Sequence, residues 1–354
     1  MEHLWKQNLR QIEPYVPGEQ SSDPDRIKLN ANENPYPPAP GVEAVLRSYD
    51  PAALCLYPDA NARLLKASIA RHYGVAPEQV FVGNGSDDVL ALAFQSFFNS
   101  DKPIAFPDIT YSFYPVWCRL FHIPFVTHPL TADFRIDPAD YAAPNGGVVL
   151  PNPNAPTSIG EDLPFVQALL EGNRDAVVII DEAYADFGGV SAVPLLADYP
   201  NLLVCGTFSK SRSLAGLRLG FAIGSAELIG VLEAVKNSYN SYTVDNLSLL
   251  CGAAAMDDEA YFDKTTAAVI TTRERVRRAL EQMGFSVLPS RTNFLFATKD
   301  CASMRELFLY LKQRHIYIRY FDLPRIDNYV RITIGTDAQM DAFLQGTEAF
   351  LRGE

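Results

Sequence analysis

A basic excess is missing from this sequence. Its 354 residues carry 30 lysines and arginines against 42 aspartates and glutamates, a formal net charge of −12. Binding to a phosphate backbone is disfavoured, because no surplus of cations exists to release counterions. Small anionic ligands, which need only a few local arginines, stay open. Cysteine is sparse too. Cys55, Cys118, Cys205, Cys251 and Cys301 are scattered, odd in number and never at CxxC spacing, so neither a zinc site nor a disulfide framework is indicated and no metal is expected. No apolar run approaches the roughly 18 residues of a membrane span, and the opening MEHLWKQNLR has no signal-peptide core. These absences predict a cytoplasmic protein that engages neither membrane nor nucleic acid.

What is present describes a compact enzyme-sized chain. Hydrophobic residues make up 48% and charged residues 20%, which excludes a disordered polymer. The length exceeds one ordinary core, so a large domain and a smaller one are expected. Residues 1–40 read as a Pro- and Asn-rich arm (PYVPGE, then LNANENPYPP), unable to build a core alone and so laid across something else. After a helical stretch at 61–73, short apolar runs at 79–82, 104–106, 148–150, 177–180, 202–205 and 221–223 alternate with helical patterns. Such alternation predicts an α/β fold with a mainly parallel sheet covered on both faces. A long helix at 261–283 leads into strands at 285–288, 293–297, 316–319 and 329–334, with helices at 303–314 and 338–351, the texture of a smaller α+β domain. The expected division is 1–40 arm, 41–255 large domain and 256–354 small domain.

In open α/β sheets ligands bind beyond the carboxyl ends of the strands, and four of those ends carry polar clusters. Gly83-Asn84-Gly85-Ser86-Asp87-Asp88 joins a strand to a helix; its glycines allow a tight turn and free N–H groups there favour a phosphate. An ordinary capped turn fits the same residues. Pro151-Asn152-Pro153-Asn154-Ala155-Pro156-Thr157 makes a rigid loop with amides held at fixed positions, and by itself it also fits a structural turn. Asp181-Glu182-Ala183-Tyr184 follows the apolar VVII. A carboxylate ending a buried strand is unfavourable without a positive partner, which a protonated ring nitrogen would supply; a helix N-cap is the plainer alternative. Thr207-Phe208-Ser209-Lys210, with Arg218 close behind, offers hydroxyl and guanidinium donors suited to a phosphate dianion around one amine. Lysine mostly sits in solvent; Lys210 is set apart by its neighbours.

Together these residues make the chain resemble the fold-type I aminotransferases that depend on pyridoxal 5'-phosphate (PLP), over nearly its whole length. That resemblance implies a large domain with a mainly parallel seven-stranded sheet. It also makes Lys210, in SK before LAGLRLG, the lysine that carries the cofactor. Asp181 and Tyr184 fall on the pair contacting the ring nitrogen and the phenolic oxygen. Asn154 falls on the asparagine contacting that same oxygen, although the proline-rich loop admits a second register. Ser86, Asp87, Thr207, Ser209 and Arg218 fall on the phosphate cup, and Tyr111, in PDITYSFY, on the aromatic residue stacked against the ring. Tyr57, in LYPDANARLLKASIA, falls on a tyrosine that reaches the neighbouring subunit's cofactor, which implies a homodimer. Ser158 departs from the family, which has glycine there; a local backbone adjustment is expected.

Within that family the chain is similar to the histidinol-phosphate aminotransferases, enzymes of histidine biosynthesis. The segments PYVPGE, LNANENPYPP, TYSFY, IYIRYF and YVRITIGT carry this likeness. They imply substrate contacts from Tyr15, Asn32, Arg319 and Arg331, with histidinol phosphate and the glutamate/2-oxoglutarate pair as substrates. Histidinol phosphate lacks an α-carboxylate, so its phosphate must serve as the anchor, and two guanidiniums on adjacent strands suit a dianion. Outward-facing strand arginines are the plain alternative. Competing activities are an aromatic amino-acid aminotransferase and a threonine-phosphate decarboxylase. A non-catalytic PLP-binding sensor is disfavoured by the acidic charge, and a nucleotide-binding dehydrogenase because GNGSDD does not match GxGxxG.

Overall fold

The computed structural model describes residues 3–15, 18–19, 22–142 and 144–354; in PYVPGE, Val16 and Pro17 lie outside the described residues. Seven strands form the large sheet, in the spatial order Val80–Gly83, Gly220–Gly224, Leu202–Thr207, Val178–Asp181, Gly147–Pro151, Ile104–Pro107, Phe125–His128. All pairings are parallel except the two made by Gly220–Gly224. The central strands are apolar on both faces because alternate side chains enter different cores. Val148, Leu150, Val178, Ile180, Leu202 and Val204 pack with the helices Arg63–Tyr73, Leu163–Glu171 and Asn246–Asp257. Val149, Ile179, Leu203 and Cys205 pack with Ser86–Phe97, Tyr114–Phe121 and Ala226–Tyr239. Each fully buried aliphatic side chain there contributes about 1.5–3 kcal/mol.

Six of the seven strands coincide with the apolar runs read from sequence, give or take two residues. The seventh, Phe125–His128, escaped notice because it is an edge strand: it pairs on one side only and its four residues are all at least partly exposed. The first long helix starts at Arg63 rather than 61, after Ala62 in the left-handed region at φ 48°.

A third core gathers Leu295, Ala297, Val330 and Ile332 of a four-stranded antiparallel sheet against the helices Glu259–Gln282, Met304–Gln313 and Asp337–Arg352. Leu29 of the arm belongs to this core. The arm's Ile27–Lys28 pairs in parallel with Ile316–Tyr317, while Arg319–Tyr320 pairs antiparallel with Val330–Thr333. The run expected as one strand at 316–319 is therefore two, since the arm supplies a partner for its first half. Pairing aligns Pro151 with Asp181, Asp181 with Cys205, and both Thr207 and Gly83 with Gly220. The four polar clusters thus emerge along one edge of the large sheet.

Candidate active site

One cavity of about 420 Å³ opens at that edge, lined by residues around the large sheet, by residues of the four-stranded sheet and by the N-terminal segment from Tyr15 to Glu33. Its first chemistry is anion binding. The helix Ser86–Phe97 begins with no side chain capping its N–H groups, after Gly85 at φ 86°. A Cβ on Gly85 would lie 2.6 Å from the Arg218 guanidinium, and one on Gly220 only 2.3 Å from the Ser86 backbone nitrogen. Glycine at both positions lets the turn, the guanidinium and the sheet edge meet. Thr207 and Ser209 are buried in the same lining, and the Thr207 hydroxyl accepts from the Ser209 N–H at 3.1 Å. Free N–H groups at a helix start, two hydroxyls and a guanidinium are donors that suit a phosphate. Asp87 balances Arg218 across 3.3 Å and accepts a hydrogen bond from the Tyr111 hydroxyl at 2.7 Å.

The second chemistry is a buried carboxylate. Asp181, at its strand's end, is 5% exposed. Burial pushes its pKa up to about 6, against the opposing pull of hydrogen bonds from the Tyr114 hydroxyl (2.9 Å) and the Ala183 N–H (3.2 Å), with nearby Asp87 adding to the rise. Among the described residues no cation pairs with it, so the position calls for a positively charged ligand atom.

The third is the Lys210 amine, half-buried, donating to the Ala31 carbonyl at 3.2 Å and lying 5.8 Å from the centre of the Tyr184 ring. The backbone of its loop is held by Asn34, whose amide donates to the carbonyls of Lys210 (3.0 Å) and Ser211 (3.2 Å). Asn32, in the left-handed region at φ 54° that asparagine tolerates, donates to the Tyr184 hydroxyl at 2.9 Å and accepts from the Thr333 hydroxyl at 3.0 Å. It ties the N-terminal segment both to the loop after Asp181 and to the strand Val330–Thr333.

Positive charge gathers in the same cavity. Arg319 and Arg331 are register partners on adjacent strands, and both line the cavity. Burial lowers the Arg331 pKa, with Arg319 adding repulsion. Arg331 donates to the Asn30 carbonyl at 3.0 Å, but its Nε is buried without a partner. Both guanidiniums lie within 5.6 Å of the Phe321 ring centre. Tyr15 of the arm lines the same space and stacks on Phe113 at 4.2 Å.

Two expected residues lie elsewhere. Asn154 is buried behind the cavity wall, its amide donating to the Ile109 carbonyl (3.0 Å) and the Thr157 hydroxyl (2.9 Å) while accepting from Thr110 (3.1 Å). It pins the loop that carries Tyr111. Asn152, the other register, exchanges hydrogen bonds with the Glu161 backbone instead. Tyr57 is 82% exposed, away from this cavity, stacked on Tyr242 at 4.6 Å. Ser158 has a positive φ of 68°, the left-handed region that glycine favours, and its hydroxyl donates to the Pro289 carbonyl at 3.3 Å. Reading the sequence overlooked Asn34 and Tyr114; the latter is the first residue of the helix Tyr114–Phe121, and no helical spacing links it to Tyr111, which precedes that helix.

Comparison with known proteins agrees with this arrangement. The model of the aminotransferase class I and II family matches residues 24–346. The histidinol-phosphate aminotransferase of Chromohalobacter salexigens is 52% identical over 352 residues, 99% of this chain and 100% of that protein. The crystal structure of histidinol-phosphate aminotransferase from Sinorhizobium meliloti, in complex with pyridoxal-5'-phosphate, superposes with a TM-score of 0.81 at 26% identity, covering 92% of this chain and 90% of the other. L-threonine-O-3-phosphate decarboxylase from Porphyromonas gingivalis shares the fold, with a TM-score of 0.78 at 22% identity over 92% and 99% of the two chains. With a family match spanning nearly all of its length and a relative identical at half of its positions, the chain belongs to the aminotransferase class I and II family, alongside its histidinol-phosphate aminotransferase relatives.

Proposed function

We propose that the protein catalyses transamination of L-histidinol phosphate with 2-oxoglutarate, giving imidazole-acetol phosphate and glutamate, with PLP as cofactor. The residues present fit that cofactor: an uncapped helix start with Arg218, Thr207 and Ser209 for its phosphate, an unpaired buried Asp181 for its ring nitrogen, and the Lys210 amine in the same cavity. Tyr111 and Tyr184 complete the set for its ring and phenolic oxygen. When bound, PLP supplies an electron-poor ring that accepts the electron pair released as the substrate's Cα–H bond breaks. Asp181 stabilises the ring's protonated state. Lys210 would hold the cofactor covalently, and its Nζ, once free, would take the substrate's Cα proton as general base. Asn32 holds the Tyr184 hydroxyl in place.

The observation that carries the substrate reading is the pair Arg319 and Arg331, facing the cavity with no carboxylate partner among the described residues. Two adjacent guanidiniums suit a phosphate dianion, each charge-assisted hydrogen bond contributing about 1.5–3 kcal/mol. The same pair serves a carboxylate of glutamate in the second half-reaction. An exposed Tyr57 outside its own cavity supports a homodimer in which it reaches the partner's site. We place the enzyme in the cytoplasm; no described helix is long and apolar enough to cross a membrane.

The test is an absorbance spectrum of the PLP-loaded protein before and after L-histidinol phosphate, without oxo-acid. The visible band is expected to bleach and to return with 2-oxoglutarate. A band that responds only to phenylalanine or tyrosine would leave the cofactor reading standing and overturn the substrate. Release of carbon dioxide from threonine phosphate would point to the decarboxylase instead.

A further inference from the structure

Tyr114 is fully buried at the start of its helix, with the rings of Phe94, Phe106, Trp117 and Tyr111 around its own at centroid distances of 6.0, 5.7, 6.2 and 5.7 Å. A phenol oxygen in such a setting needs a partner. It finds Asp181 at 2.9 Å, from 67 residues away. We propose that Tyr114 is a positioning residue that acts through Asp181, holding its carboxylate in the charged form that a protonated cofactor nitrogen requires. This inference rests on the PLP reading above.

The balance around Asp181 makes this hydrogen bond decisive. From its own chain, Glu182 follows and the Ala183 N–H donates; from the adjacent strand, Cys205 is its register partner. Pro151, on the other side, carries no charge. From the helix Ser86–Phe97, Asp87 repels it. Tyr111 and Tyr184 are the remaining titratable neighbours lining the cavity beside it. Burial and Asp87 favour the protonated acid; only the Tyr114 hydroxyl and the Ala183 N–H oppose them. A neutral acid cannot form an ion pair with a ring cation.

The experiment measures the PLP dissociation constant of wild type, Tyr114→Phe, Asp181→Asn and the double variant, with the pH dependence of the visible absorbance band. Tyr114→Phe is expected to weaken PLP about tenfold or more, to move the pH profile upward, and to lower kcat while leaving KM for histidinol phosphate unchanged. In the Asp181→Asn background the same change should do nothing further. Equal losses in both backgrounds, or an unchanged affinity and pH profile in the single variant, overturn the proposal. Phe106→Leu, which loosens the packing without touching the hydrogen bond, should lower thermal stability and keep PLP affinity; if it weakens PLP as much as Tyr114→Phe, packing is the cause and the proposal falls. A wild type that binds no PLP would overturn the cofactor reading itself, which these other outcomes leave intact.

Discussion

Arg319 and Arg331 stand directly opposite each other on antiparallel strands, two cations in one cavity with no carboxylate between them among the described residues. Like charges so placed destabilise the unliganded protein, and the surrounding contacts relieve this only in part through the Phe321 ring and the Asn30 carbonyl. A dianionic ligand removes the conflict. On the proposed reading, the pair trades stability for binding.

From this follows a trade-off. Arg319→Gln should raise the melting temperature of the ligand-free protein while lowering kcat/KM for histidinol phosphate by about 10–100-fold. Added inorganic phosphate should stabilise wild type more than the variant. Unchanged kinetics in Arg319→Gln would show that the strand arginines face solvent in function.

Among the described residues the Lys210 amine makes one hydrogen bond, to Ala31, so its removal should leave the fold intact. Lys210→Ala is expected to keep its thermal stability within about 1 kcal/mol and to lose turnover by about 10²–10⁴-fold or more, the range of a missing general base. Steady-state rates and a melting curve check both halves. Retention of most transamination would remove Lys210 from the chemistry.

Two glycines should behave oppositely. On Gly220 a Cβ would meet backbone atoms of Ser86 and Gly85 at 2.3 and 2.4 Å, whereas on Gly230, exposed in the helix Ala226–Tyr239, nothing lies within 4 Å. Gly220→Ala should push the phosphate-binding turn away and weaken PLP strongly. Gly230→Ala should stabilise by about 0.5–1 kcal/mol, the helix-propensity difference, with unchanged PLP affinity. Equal PLP affinity in the two variants would contradict the phosphate assignment.

Glu182 gives a pH signature. It is 9% exposed and accepts from the Ala192 N–H at 2.6 Å, yet burial pushes its pKa up to about 8. An acid whose folded pKa is raised keeps its proton in the native state after the unfolded chain has lost it. Its contribution to stability therefore falls as pH rises from the unfolded pKa near 4.5 to about 8, then levels off. Glu182→Gln, which preserves the acceptor, should gain over wild type by on the order of 1 kcal/mol per pH unit across that window. Denaturant melts at about pH 5, 7 and 9 test it; a pH-independent difference would place the buried proton elsewhere.

How much of this was readable without coordinates depended on range. Val148–Leu150 and Val178–Ile180 announced themselves because burial on both faces demands unbroken apolar runs, whereas Phe125–His128, exposed on one side, carried no such pattern. The cavity residues at strand ends were legible as polar clusters after apolar runs. Asn154 was legible as a fixed amide, but which way it turns depends on the Ile109 carbonyl, which no local pattern reveals. Tyr114 and Asn34 were hidden for the same reason: their partners, Asp181 and the Lys210 carbonyl, are 67 and 176 residues distant. Nor does the two-residue Ile27–Lys28 strand exist without Ile316–Tyr317 to pair with.

Tyr57 tests the shared site. It is 82% exposed, stacks among the described residues on Tyr242, itself 47% exposed, and lines no part of the cavity of its own chain. If it completes the partner's site, then Tyr57→Ala and Lys210→Ala should each be impaired alone. Mixing the two inactive proteins under conditions that exchange subunits should restore activity, because a mixed dimer holds one site with both native residues and one with neither. Random exchange at equal amounts makes half of the dimers mixed, so recovery should approach about a quarter of wild-type turnover. The absence of recovery, with exchange confirmed by mass, would mean that Tyr57 acts within its own subunit or not at all.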